Sequence, residues 1–350
     1  MSFRTSDFTE VASGLQYPES PIWLSDGSLL VVDIKAKELL RFRSKSDGSY
    51  QADDGIDLSD PTGKLDSGPN GAAIGPDGWV YIANDGGKNF EEKIISGNGK
   101  SWKLNILLDA SPDYAGGYIQ RVHLDTKEVE IWCAPDSVKA ANAHSPAPAL
   151  SSPDDIVFDS IGGFWFTDWG NGTPPSREIT GIYYVPKGTR TPEERIPKRS
   201  APNGIGLSPA GDRLYASETY SRWVVFWELA GPGELKKTPQ IPTQLHILSG
   251  QIYKAGILDS LRLDEEGNVY VATMLPEGEN PTVPGGIAVL SPNGETLDYI
   301  ELPADIPEPL PSSLCFGGAD RRTAFITCAG TGRILSCRMR IPGLRAAFEL

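Results

Sequence analysis

Histidine and cysteine are both scarce in this chain, at three and four among 350 residues. The imidazoles, His123, His144 and His246, are scattered, which leaves little room for histidine-centred catalysis or a histidine-ligated transition metal. Each reads as a structural or surface residue, with His144 the one closest to a repeated motif described below. Cys133, Cys315, Cys328 and Cys337 fall at no metal-binding spacing and are too few for a disulfide scaffold. Cys328 and Cys337 flank the turn AGTGR and are the one pair that could face each other across a hairpin; reduced buried thiols are the default. No apolar run approaches the roughly 18 residues of a membrane helix. The N-terminal MSFRTSDFTE lacks the apolar core of a signal peptide, so a cytoplasmic protein is expected. Positive charge is also short: 32 Lys and Arg stand against 46 Asp and Glu, a net −14. Such a chain repels phosphate backbones and anionic membranes, so its expected partner is a small molecule.

What the chain does have is glycine, proline and a phrase that returns six times. The copies are PESPIW, PNGAAI, PDDIVF, PNGIGL, LDSLRL and PSSLCF, beginning at Pro18, Pro69, Pro153, Pro202, Leu258 and Pro311. Each is followed by a turn and a second apolar run, as in PDGWVYIAND and DEEGNVYVAT, and therefore reads as a β-hairpin. The second residue of each phrase is polar: Glu19, Asn70, Asp154, Asn203, Asp259 and Ser312. Their gaps are 51, 84, 49, 56 and 53 residues. A period near 50 with several short strands per unit predicts an all-β, six-bladed β-propeller with a central channel. The whole chain, 1–350, reads as one such domain. The long gap holds an insertion near 88–117, expected to rise over one face as a loop or lid. A strand near Phe8 to Ala12 is expected to complete the last blade beside Ile334 to Met339.

In a propeller the first strand of each blade lines the channel, so the six pivots converge at one level. Three carboxylates and two carboxamides meeting there require a counter-charge, because buried unpaired carboxylates are costly. All the donors are oxygen, which predicts one hard divalent ion: Ca²⁺ first, with Mg²⁺, Mn²⁺ or Zn²⁺ also accommodated.

The order and spacing of Pro-Glu-Ser-Pro-Ile-Trp, Pro-Asp-Asp-Ile-Val-Phe with Phe-Trp-Phe-Thr-Asp, Pro-Asn-Gly-Ile-Gly-Leu and Asp259-Ser260-Leu261 resemble the gluconolactonase, senescence marker protein and luciferin-regenerating enzyme family. The resemblance runs from about Val11 to Arg333 and implies a six-bladed propeller with one divalent metal in the channel mouth. It implies Glu19, Asn203 and Asp259 as metal ligands. Asp154 stands where some relatives carry a ligating Asn, and so is expected as a fourth ligand or as a base. Ser152 replaces an Arg that some sugar-lactonase members carry. The implied reaction is metal-dependent opening of a lactone by water, with Asp259 or Asp154 taking the proton. Asn70, Asp168 and Ser312 are the expected substrate-positioning or ligand-supporting groups, with Asp168 equally readable as a strand-end turn residue, and Trp169 is an expected substrate wall that also reads as a blade-packing aromatic. Phosphotriester hydrolysis on the same site, or metal and small-molecule binding without catalysis, are the alternatives, since fold alone does not decide chemistry.

Overall fold

The computed structural model describes residues 2–97, 100–133, 150–237, 246–249, 256–274, 284–305 and 308–350. All regular structure among them is strand, and no helix is present to cross a membrane. Six antiparallel sheets form the blades of a β-propeller. Their inner strands are Pro18–Trp23, Pro69–Ile74, Pro153–Phe158, Pro202–Leu207, Ile257–Leu263 and Pro311–Gly317. Each touches the inner strand of the next blade, and the sixth touches the first, so the ring closes. The second strands, such as Leu29–Asp33, Phe164–Asp168 and Val269–Met274, are buried from end to end. This is why they read as continuous apolar runs: both faces of each sheet pack against a neighbour. The apolar clusters accordingly span pairs of blades.

The ring is fastened by the N-terminal strand Thr9–Ser13, which pairs with Arg333–Arg338 and makes the fourth strand of the last blade, as expected. The two cysteines of that blade do not meet: Cys328 stands opposite Arg333, and Cys337 opposite Ala324. All four cysteines are buried, and none is bridged in a disulfide.

The insertion is a long hairpin of its own, Lys88–Gly97 with Lys100–Ala110. From its root in the second blade it leans across the face where the inner strands begin. Asn105 donates to the Gln16 carbonyl at 2.6 Å and to the Gly330 carbonyl, through its backbone, at 2.8 Å. Leu104 packs with Met274 and Leu310, and Phe90 lies 5.3 Å from Tyr17. The segment 134–149, which includes His144, and the segment 275–283 lie outside the described residues.

Every inner strand carries a register shift beside its pivot, for example between Glu19 and Ile22, Pro153 and Ile156, and Pro202 and Ile205. A β-bulge at a fixed place in each repeat bends the strand and turns the pivot side chain away from the pleat. Small residues let neighbouring bulges come close. A Cβ added at Gly71 would lie 2.2 Å from the Asp154 carbonyl oxygen, and one at Gly204 would lie 2.3 Å from the Leu261 nitrogen. The glycine of each Pro-Asn-Gly is therefore a point of blade-to-blade contact inside a strand, and the turn that this tripeptide suggests in isolation is absent. Because the colliding atoms are backbone, they have no rotamer through which to yield. Gly204→Ala should destabilise the protein by about 2–4 kcal/mol, read by equilibrium urea unfolding. A change below about 0.5 kcal/mol would show that the blades slide apart freely.

Candidate active site in the channel

Polar residues following the pivots tie the blades together. The Ser20 hydroxyl accepts from the Ala72 N–H at 2.7 Å, and the Asp155 carboxylate accepts from the Ile205 N–H at 3.1 Å. Hydroxyls of the second strands do the same from behind. Thr167 donates to the Asn203 carbonyl at 2.5 Å, and Ser217 to the Asp259 carbonyl at 2.6 Å. The pivot backbones are thus held from the adjacent blade, leaving their side chains to the channel.

Asp154 receives the Asn70 amide at 3.3 Å. Burial raises its carboxyl well above the usual range, and the charges of Asp259 and then Glu19 raise it further. Asp259 is likewise pushed up by burial and then by Glu19, while a hydrogen bond from Asn203 opposes the rise. Burial, followed by the charge of Asp155, raises Glu19, whose carboxylate accepts from the Ser20 N–H and from the Ser260 hydroxyl at 3.3 Å. Four pivots, Glu19, Asp154, Asn203 and Asp259, therefore sense one another electrostatically, with Asn70 attached to Asp154.

The Asn203 carboxamide oxygen is buried with no hydrogen-bond partner. An unpaired buried acceptor beside mutually repelling carboxyls fits a cation held by oxygen ligands. Among the described residues no three His, Cys, Asp or Glu side chains form a metal cage by themselves. An ion here would thus rely on carboxamide oxygen as well as carboxylate.

Two of the expected substrate groups, Ser312 and Asp168, make contacts that hold the scaffold. Ser312 is fully buried; its hydroxyl lies 2.9 Å from the Pro18 carbonyl and 2.9 Å from the Thr327 hydroxyl, closing the ring between the last and first blades. Asp168 is buried and accepts from the N–H groups of Ser151, Ser152 and Gly170 at 2.8, 2.7 and 3.1 Å. Asp33 does the same in the first blade, accepting from Gln16 and Tyr17. A strand-end Asp of this kind pins the loop that enters its blade.

Trp169 is half-buried and donates its indole N–H to the Thr219 hydroxyl at 3.0 Å. The Arg177 guanidinium lies 3.7 Å from the centre of its ring and 5.0 Å from that of Tyr220, and the Lys88 ammonium is 5.1 Å from the Trp169 ring. Arg177 also donates to the carbonyls of Trp169, Gly170 and Gly172, holding the loop beneath the indole. These two cations have no motif in the sequence; a stacked arginine is visible only once the loop is folded.

Asp85 was also beyond sequence reasoning. It is buried, one of its carboxylate oxygens has no partner, and burial raises its pKa to about 6 while Lys88 opposes the rise. The ion pair between Arg262 and Asp155, at 2.7 Å, is the other unforeseen feature. The only signal for it in the sequence is an arginine between two leucines at the end of LDSLRL, at a position where the other copies of the phrase carry no charge.

A six-bladed propeller gathering carboxylates and carboxamides at one end of its channel defines the class of protein. The chain belongs to the SMP-30/Gluconolactonase/LRE-like family, whose sequence pattern matches residues 17–330. It is 24% identical over 335 residues to a gluconolactonase of Zymomonas mobilis, covering 91% of this chain and 78% of that protein. A shorter stretch of 67 residues, 19% of this chain and 20% of the relative, is 46% identical to the lactonase drp35 of Staphylococcus aureus. Among solved structures, a gluconolactonase of Xanthomonas campestris superposes with a TM-score of 0.66 at 17% identity, over 96% of this chain and 91% of that one. The calcium-binding protein regucalcin of Agrobacterium tumefaciens gives 0.64 at 16% identity, over 98% of each.

Proposed function

We propose that the protein is a metal-dependent lactonase acting on a small-molecule cyclic ester at the pivot end of the channel. The observation that carries this reading is the Asn203 carboxamide oxygen, buried without a partner among the carboxyls of a propeller of the gluconolactonase family. Glu19, Asn203, Asp259 and Asp154 would hold a divalent ion, with Ca²⁺ the first expectation. Bound there, the ion would supply Lewis-acid polarisation of the lactone carbonyl.

The protein's own groups would do the rest. Asp259 takes a proton from the attacking water as its oxygen bonds to the carbonyl carbon. The ring C–O bond then breaks, and the proton passes to the departing alkoxide, leaving a hydroxy acid. Asn70 fixes the orientation of Asp154, which stands ready as ligand or second base. Trp169, stiffened by Arg177 and Lys88, offers an apolar wall for the substrate body, and the hairpin 88–110 limits water from above.

The test is hydrolysis of a lactone panel, followed by acid release, before and after treatment with EDTA. Chelation should lower turnover by at least about 100-fold and added Ca²⁺ should restore it. Undiminished turnover by metal-free protein would exclude metal dependence. Cleavage of an organophosphate, with no lactone opened, would exclude the substrate class.

A further inference from the structure

The opposite end of the channel contains a second concavity, unconnected with any role assigned so far. The pivots stand near the beginnings of the inner strands, whereas this cavity, of about 370 Å³, is lined by their last residues, among them Trp23, Val157, Leu207 and Phe316. Strand rise places these residues roughly 10 Å further along the channel. The segment 344–349 passes across the opening. Leu344 donates its N–H to the Leu263 carbonyl at 2.9 Å, and Phe348 packs edge-on against Phe158 at 6.0 Å, so this strap spans from the fifth blade to the third.

The walls are chiefly apolar and the volume falls within the range of small-molecule pockets. Arg262 also lines the cavity. Its Nη1 donates to Asp155 at 2.7 Å and to the Leu261 carbonyl at 2.6 Å, while its Nη2 makes one long contact with Asp155, at 3.4 Å. The Nε–H and the second Nη2 proton have no protein acceptor among the described residues, and 22% of the side chain is exposed. A guanidinium with donors to spare, set among apolar walls, suits one oxygen anion on an apolar body.

We propose that this lower cavity is a binding site for a small amphipathic carboxylate, with Arg262 receiving the carboxylate and the inner-strand ends enclosing its hydrocarbon part. Octanoate is the probe, compared with 1-octanol, which has the same chain and no charge. Isothermal titration with the intact protein should show octanoate binding at one site per chain, at least about tenfold more tightly than octanol. Leu207→Trp, which fills part of the cavity and keeps the guanidinium of Arg262, should weaken octanoate at least about tenfold while leaving lactone turnover unchanged. Arg262→Lys, which keeps the charge but loses the fork, should narrow the gap between the two probes. Circular dichroism and urea unfolding establish that each variant is folded. Equal binding of octanol, no binding of octanoate, or undiminished binding by folded Leu207→Trp would each overturn the assignment. Because the readout is heat of binding, the outcome is independent of whether the upper site opens lactones.

Discussion

Asp259→Asn should abolish lactone turnover, lowering kcat/KM by about 1,000-fold or more while the urea midpoint stays within the range of the parent. The size of the loss follows from the two duties proposed for this side chain: taking the proton of the attacking water and contributing negative charge to the cation site. The carboxamide is nearly isosteric, so packing is preserved, and burial together with the Glu19 charge already disfavours the ionised form in the metal-free protein. Asp154→Asn provides the comparison. If Asp154 serves as a ligand, the carboxamide oxygen can replace the carboxylate and activity should survive within about tenfold; if it is the base, activity should fall as it does for Asp259→Asn. Full activity in Asp259→Asn would remove both roles from that residue.

Arg262→Met should be strongly destabilising, costing about 3 kcal/mol in equilibrium urea unfolding. Asp155 is fully buried, and its carboxylate would keep only the N–H groups of Ile156, at 2.9 Å, and Ile205, at 3.1 Å. Removing one partner of a buried ion pair leaves an uncompensated charge, typically at 3–5 kcal/mol; the opening of Arg262 toward the lower cavity favours the smaller value. The double variant Asp155→Asn/Arg262→Met should recover most of the loss, since no unpaired charge remains. A single variant within 1 kcal/mol of the parent would mean that water replaces the guanidinium.

The legibility of this protein in its sequence followed the reach of each interaction. Repetition is a local property: a strand, its turn and its partner lie within about twenty residues, so the six copies of the pivot phrase counted the blades without any knowledge of their packing. The same repetition located the pivots. A repeated position need not repeat its contacts. Ser312 occupies the same place as Glu19, yet its hydroxyl closes the ring against the Pro18 carbonyl. Asp168 has its counterpart in the first blade in Asp33, and both carboxylates anchor the loop that enters their blade.

The sequence by itself determined the number of blades, the fastening of the first strand to the last blade, and the oxygen-rich character of the channel. Strand periodicity and side-chain chemistry are written residue by residue. Only the tertiary structure decided which of these groups face one another. Arg262 meets Asp155 across the ring from a position 107 residues away. Lys88 and Arg177 flank Trp169 because a hairpin and a loop from different blades fold to the same rim. The lower cavity arises where six strand ends diverge beneath a strap that crosses them. Such juxtapositions depend on the angle between blades and the path of long connections, and neither leaves a periodic trace in the chain.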